Sequence, residues 1–417
     1  MKNRFLSLCC FFLLSLFSLS AFSQQEAPHP DYELSIYTFS PYDDVFAWFG
    51  HTAIELKNIH TGKAEMYNFG GFRFSLGELM LFVQGRFQFW SYKSPTDWML
   101  QPYKREKRHV IIQKLALSEK ETNYIVDRLN FYMKEENKYY TYDYFRNNCT
   151  TVIMDIIAEA TKDRPESFSS KTKSTPTDLT LRMLVNRTTQ HLPHYNFAFN
   201  FLLSDPIDKP LTQWQVMFLP DLYMRYLREV KVTPPILDSE KEIKLSESRF
   251  YTDELKPTLW NPNIPLFFGI SVAISALLWL LFSSYRKNNL KFLYPLFLSI
   301  SLLIPAILGV ALSITMFYTD HSDTYYNENL FLLNPLTFIF VILSFLHIFG
   351  IAKKPFIYVG FFCGVLAILG VTLKGILPFL DQNNSLSIVT FLPIMLTIMV
   401  QMFLINYDMK ERKLLQQ

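Results

Sequence analysis

A cysteine and a histidine carry the reactive chemistry of this chain. Cys149 stands in Asn147-Asn148-Cys149-Thr150-Thr151, just ahead of the apolar run Val152-Ile153-Met154-Asp155-Ile156-Ile157. Apolar residues at 152, 153, 156 and 157 have helical spacing with one buried face. Asn147 or Asn148 can cap the first turn, since a short polar side chain satisfies free N–H groups there. Cys149 would then sit at the positive end of a helix, a position that favours thiolate, the form that attacks carbonyl carbon. His51 follows Gly50 and opens the stretch Thr52-Ala53-Ile54-Glu55-Leu56. An imidazole beside the thiol takes its proton, and the acyl group then waits on sulfur for a second nucleophile.

A third polar group usually fixes the useful tautomer of such a histidine. Asn68 is expected in that role, with Tyr67 behind it. Folding the hairpin about Asn58-Ile59-His60-Thr61-Gly62 brings Asn68 roughly opposite His51. Backbone N–H groups at Cys149 and Thr150 are expected to hold the oxyanion. A lone buried cysteine is commonly an inert small hydrophobe, so the rest of the chain must decide between the two readings.

The N-terminus reads as a secretory signal. Lys2 and Arg4 precede the apolar stretch Phe5 to Leu19, and Ala21-Phe22-Ser23 is a small-x-small cleavage site. The Leu6-Ser7-Leu8-Cys9 stretch is a poor lipidation box. Cleavage after Ser23 is expected; an uncleaved anchor would leave the same side facing out. Of four cysteines, Cys9 and Cys10 leave with the signal and Cys363 lies in an apolar block. Cys149 is then the lone thiol of an exported domain, which favours a reactive role.

The net charge of +3 implies no nucleic-acid partner, and no metal or cofactor is expected. Half of the residues are hydrophobic, with 39 Phe, and the apolar residues concentrate after Trp260. Tyr32–Phe39, Thr52–Lys57, Lys63–Phe69 and His109–Leu117 read as strands. Ser118-Glu119-Lys120-Glu121 is a capping box that opens a helix. The basic cluster Lys104 to Arg108 is either a solvated loop or a contact for anionic headgroups. Residues 164–230 read as helices and loops, and Thr233 to Pro257 as a charged linker. Five apolar blocks follow, Ile264–Phe282, Phe292–Phe317, Leu336–Ala352, Phe356–Leu377 and Leu386–Ile405, each about long enough to cross a bilayer. Lys and Arg follow the first, third and fifth blocks, so those exits are expected in the cytoplasm and the Cys149 domain outside. His321 falls in an outward loop. It could approach the site, although a surface role is the default for such a histidine.

The order Gly50-His51-Thr52, then Tyr67-Asn68-Phe69-Gly70, then Asn148-Cys149-Thr150-Thr151 at a helix start resembles the circularly permuted papain-like fold. Relatives of that fold include cell-wall peptidases of the NlpC type and the lecithin:retinol acyltransferase group. Adding Phe49, Phe218-Leu219-Pro220 and the loop from Asp320-His321 to Asn334-Pro335, the whole chain is similar to the Lnb-type bacterial lipoprotein N-acyltransferases. Where a glycine is expected ahead of Asp205-Pro206, this chain has Ser204.

The resemblance implies an α+β permuted papain-like (NlpC-like) periplasmic domain with a helical extension, followed by a five-helix transmembrane region in the inner membrane. The expected division is 1–23 signal peptide, 24–232 catalytic domain, 233–260 linker and 261–417 spans with a cytoplasmic C-terminus. The implied reaction moves a fatty acyl chain from a membrane phospholipid to the α-amino group of a diacylglyceryl-cysteine at a lipoprotein N-terminus. Cys149, His51 and Asn68 are then catalytic. Asn148, Thr150, Tyr67 and His321 are expected to contact substrate or the oxyanion. Two alternatives remain open: a membrane-anchored cysteine peptidase or amidase, and a non-catalytic scaffold or receptor.

Overall fold

The computed structural model describes residues 32–73, 75–243, 260–287 and 289–415. The expected signal segment, and the linker from residue 244 to residue 259, lie outside the described residues. The N-terminal half is built on one seven-stranded antiparallel sheet of order β6-β4-β3-β2-β1-β5-β7. Its strands are β1 (Tyr32–Phe39), β2 (His51–Asn58), β3 (Ala64–Gly71), β4 (Gln88–Pro95), β5 (Val110–Leu115), β6 (Tyr139–Thr141) and β7 (Leu237–Ile243). The permuted papain-like arrangement thus reduces, at this level, to an antiparallel sheet with helices.

The hairpin register corrects one expectation. Ile54 pairs with Tyr67 and Glu55 with Met66, which puts Asn68 opposite Ala53 and, carried on, Gly70 opposite His51. The strand linking the sheet to the linker is a second correction. Leu237–Ile243, expected as part of a linker, pairs with β5 from Val110↔Ile243 to Leu115↔Leu237. It closes one edge of the sheet with charged residues, a common guard against edge-to-edge pairing.

Around the sheet lie helices α1 (Leu76–Val83), α2 (Thr96–Arg105), α3 (Glu119–Met133) and α4 (Cys149–Ala160). Alternation along the strands sends Ile54, Leu56, Tyr67 and Phe69 to one face. There they pack with Ile153, Ile156 and Ile157 of α4 and Ile125, Val126 and Leu129 of α3. The opposite face packs Phe39, Ala53 and Met66 against Met99 and Leu100 of α2. A helical extension follows, with α5 (Phe168–Ser174), α6 (Leu181–Thr189), α7 (Pro193–Leu202), α8 (Gln213–Val216) and α9 (Pro220–Glu229).

Five helices, α10 (Ile264–Arg286), α11 (Leu293–Tyr318), α12 (Pro335–Ile348), α13 (Lys353–Lys374) and α14 (Ser385–Leu414), form the C-terminal half. Five segments here are long and apolar enough to cross a membrane, and they follow the five apolar blocks of the sequence. They share one packed core, from Leu278 to Ile405, into which Phe201 of α7 also packs. The α11–α12 and α13–α14 loops lie against the N-terminal half. Arg146 bonds Asp323 with both guanidinium nitrogens at 2.7 Å, Arg86 meets Asp320 at 2.6 Å, and Lys209 meets Asp381 at 2.7 Å. Ser204 also holds this joint: its N–H and hydroxyl both donate to the Asp323 carbonyl, at 2.7 and 2.9 Å. Lys374, expected to snorkel from a span end, instead pairs with Glu328 at 2.6 Å and donates to the Gln382 carbonyl at 2.5 Å.

Candidate active site

The helix α4 begins where its sequence says it must. Asn148 is the cap: its side-chain oxygen accepts the Thr150 and Thr151 N–H groups at 2.8 and 3.0 Å. The Thr151 hydroxyl in turn accepts the Asn148 N–H at 2.8 Å, completing a capping box. Cys149 is the first helical residue, partly exposed, with a reduced thiol. Its placement comes from burial of the next turns, since Val152, Ile153 and Met154 are covered by the sheet and α3.

His51 opens β2 directly after Gly50, whose φ of +78° turns the chain into the strand. A side chain at Gly50 would strike the Phe39 carbonyl at 2.7 Å, so the turn needs glycine. His51 and Asn68 share a sheet face, and the Asn68 carboxamide reaches His51 diagonally. His51 Nε2 donates to Asn68 Oδ1 at 2.7 Å. Gly70, across from His51, leaves the ring room: a Cβ there would sit 3.2 Å from Cε1. With Nε2 committed as donor, Nδ1 is the nitrogen left to act as a base, and His51 and Cys149 are close enough for each to shift the other's titration.

The electrostatics match a poised pair. Burial alone would push the Cys149 thiol up. The His51 imidazole, the Thr52 backbone and the Thr150 hydroxyl more than offset it and hold the thiol below its ordinary value. Burial alone would depress His51; Cys149 and Asn68 outweigh it and raise the imidazole, against the opposing charge of Arg108. Together these shifts favour thiolate beside imidazolium.

Two rings of residues frame the pair. On one side Phe39 stacks 6.1 Å from His51 and 3.7 Å from Tyr103, and Arg108 covers Tyr103 at 4.8 Å. Arg108, read from sequence within a solvated or lipid-facing cluster, is buried and donates to the Ser40 carbonyl at 2.8 Å. On the other side stand Tyr140, Tyr142 and Tyr144. Burial first, and negative charge at Cys149 as a further cause, push their phenols up. The tyrosines were missed in sequence. Their i, i+2 spacing just before the cysteine was the available signal, but it is also the spacing of any strand.

Four residues expected to contact substrate or the oxyanion have partners within the protein. The Thr150 N–H is used by the Asn148 cap, and the Thr150 hydroxyl faces Thr52 at 3.0 Å, so neither is free for an oxyanion. The Cys149 N–H remains, at the open end of the helix. Asn148 itself is fully engaged: its amide nitrogen donates to the Tyr144 and Phe218 carbonyls, both at 3.0 Å. It ties the Phe218-Leu219-Pro220 stretch to the helix start and has no group left for substrate. Tyr67 lies on the sheet face opposite Asn68, with Lys93 over its ring at 5.3 Å. His321 donates from Nε2 to the Phe82 carbonyl at 2.8 Å and acts as a tether between the halves.

Cys149, His51 and Asn68 are thus brought together where β2, β3 and the start of α4 meet. Residues 20–187 match the family model described as the Lnb N-terminal periplasmic domain. No curated protein and no solved structure matches the chain. The N-terminal part of this chain is thus similar to the Lnb N-terminal periplasmic domain, here joined to five apolar helices.

Proposed function

We propose that the chain is a lipoprotein N-acyltransferase of the inner membrane, with its Cys149 domain on the periplasmic side. In this reading the Cys149 thiolate attacks an ester carbonyl of a phospholipid. A C–S bond forms, the C–O bond breaks, and the lysophospholipid alkoxide leaves with the proton held on His51. The α-amino group of a diacylglyceryl-cysteine then attacks the thioester. A C–N bond forms, the C–S bond breaks, and His51 takes the amine proton as the thiolate returns. Asn68 holds the imidazole in register, and the Cys149 N–H faces the oxyanion. The fold is read as permuted papain-like, with 1–23 a signal peptide, 24–243 the catalytic unit closed by β7, 244–260 joining and 261–417 spanning.

The observation that carries this reading is the Cys149–His51–Asn68 line at a helix start, in a domain ion-paired to the loops of five apolar helices. A hydrolase of soluble polymer has no need of that bundle, whereas a lipid donor and a lipidated acceptor both reside in a bilayer.

The test is intact mass spectrometry of Cys149 in phospholipid vesicles without acceptor. Wild type is expected to carry a fatty-acyl mass that hydroxylamine removes, and His51→Ala to carry none. A bare thiol in both proteins would sink the thioester route. Accumulation of lipoproteins with a free α-amine on loss of the protein then identifies the acceptor; their normal N-acylation would return the weight to a peptidase or amidase.

A further inference from the structure

Helix α1 is apolar over most of its circumference and has no buried residue. Leu76, Leu79, Met80, Phe82 and Val83 are each more than two fifths exposed, with Leu76 at 76%. Glu78 is the helix's one charged side chain. A helix of this character is normally covered, and a contiguous exposed apolar patch marks a contact surface.

What covers α1 is indicated by where it is tied. The Asp320 N–H donates to the Gln84 carbonyl at 2.8 Å, Arg86 pairs with Asp320, and His321 bonds the Phe82 carbonyl. Gly85, with φ +77°, allows the Asp320 backbone to approach: a Cβ there would sit 2.9 Å from the Asp320 carbonyl carbon. Asp320 is two residues beyond Tyr318, the last residue of the apolar helix α11, where Phe317 and Tyr318 are 66% and 83% exposed. The bare face of α1 therefore continues the lipid-facing surface of the bundle at its end.

A second feature leads inward from that face. Phe82 contacts Phe87 with ring centroids 5.7 Å apart, Phe87 contacts Phe89 at 5.0 Å, and Phe89 stacks on Tyr142 at 4.1 Å. Tyr142 is within electrostatic reach of the Cys149 sulfur. Phe72 flanks the row, 5.3 Å from Phe89. The rings form a continuous apolar row from the exposed Phe82 on α1, through the buried Phe87 and Phe89, to Tyr142, and a hydrocarbon chain moving along it loses little by leaving the bilayer.

We propose that α1 lies in the outer leaflet as an interfacial helix, and that the Phe82–Phe87–Phe89–Tyr142 row is the path by which a lipid acyl ester reaches Cys149. The occupant of the α1 face is the phospholipid leaflet. The entry role rests on the acyl-transfer reading given above; the insertion of α1 does not.

The insertion is tested in full-length protein whose native cysteines are all replaced by alanine. An environment-sensitive fluorophore is attached through Met80→Cys or, as the aqueous control, Lys120→Cys on α3, where the lysine side chain is 86% exposed. In vesicles of phosphatidylethanolamine and phosphatidylglycerol, the probe at 80 is expected to emit at shorter wavelength than at 120 and to dim about twofold with shallow doxyl lipids. Water-like emission quenched by aqueous iodide would overturn the insertion. So would a blue shift equally present in lipid-free detergent, which would mean a protein cover such as a second copy.

The entry role is tested with Leu79→Glu combined with Met80→Glu in the otherwise native chain. Acylation of Cys149 from vesicle phospholipid is expected to fall about tenfold, while acylation by the water-soluble ester p-nitrophenyl butyrate is kept. Unchanged vesicle rates, or equal loss with both donors, would overturn the path. If wild type is acylated by neither donor, the thioester reading fails instead, and the probe result stands by itself.

Discussion

Asn68 reaches His51 across a diagonal of the hairpin, and that geometry sets what removing it should do. The carboxamide accepts from Nε2 and so leaves Nδ1 as the acceptor for the thiol proton. Thiol alkylation in vesicles reads the result directly. Thiolate is the reactive form, and the Cys149 thiol is held below its usual value, so the rate should reach its plateau below the pH of an ordinary thiol. In His51→Ala only burial and weaker hydrogen bonds remain, and burial raises the thiol; the inflection should move to higher pH. Asn68→Ala should keep a low inflection but slow acyl transfer by about two powers of ten, the cost of a misplaced catalytic group. An inflection at the same pH in wild type and His51→Ala would refute the pairing. The cysteine and the histidine were legible because each stands beside a chain-turning or capping residue. The surroundings of Thr150 and Tyr67 are less legible, because they depend on which N–H the cap consumes and which face the register selects. Neither is written in local composition.

At the scale of elements, α4 is the part whose integrity positions the nucleophile. Its cap and its buried stripe act separately. Asn148→Ala removes the acceptor for two N–H groups and should cost about 1 to 2 kcal/mol, while Ile153→Ala empties a fully buried site and should cost about 2 to 5 kcal/mol. Thermal unfolding in detergent should therefore rank Ile153→Ala below Asn148→Ala. Asn148→Ala should also lose alkylation rate at Cys149, because the first turn loosens where the sulfur stands. The reverse ranking would mean that the cap, with its bonds to Tyr144 and Phe218, holds more of the domain than the apolar stripe. The helix was legible from spacing alone, and so were the hairpin and the five apolar helices. Strand β7 was not. Its Leu237-Asp238-Ser239-Glu240-Lys241-Glu242-Ile243 sequence is charged because it is an edge strand, and edge strands are chosen for solubility rather than for alternation.

Across the whole molecule, beside the Ser204 and His321 tethers and the packing of Phe197 and Phe201 on Phe391, two kinds of polar contact that differ in their response to salt join the sheet half to the spans. One is ionic and partly exposed, with Arg146–Asp323, Arg86–Asp320 and Lys209–Asp381, each worth little in salt. The other is a buried asparagine cluster. Asn261, at the head of α10, donates to Asn186 and Asn196 at 3.2 and 2.7 Å, and Asn263 donates to Asn196 at 3.2 Å and to the Gln190 carbonyl at 3.1 Å. Asn200 donates to the same Asn186 oxygen at 2.6 Å. These groups carry no charge, so neither pH nor ionic strength loosens them. If the chain is cut by a protease site inserted between Ile243 and Trp260, the halves should still co-purify in detergent at molar salt. Separation at high salt would show that the ion pairs dominate the joint.

The asparagine cluster has a geometric consequence. It fixes the stand-off between Cys149 and the start of the first span, so the sulfur cannot rise or sink to meet a lipid ester at another depth. The protein then behaves as a gauge of bilayer thickness: its rate should be greatest where the ester plane coincides with the sulfur, and decline in thinner and thicker membranes alike.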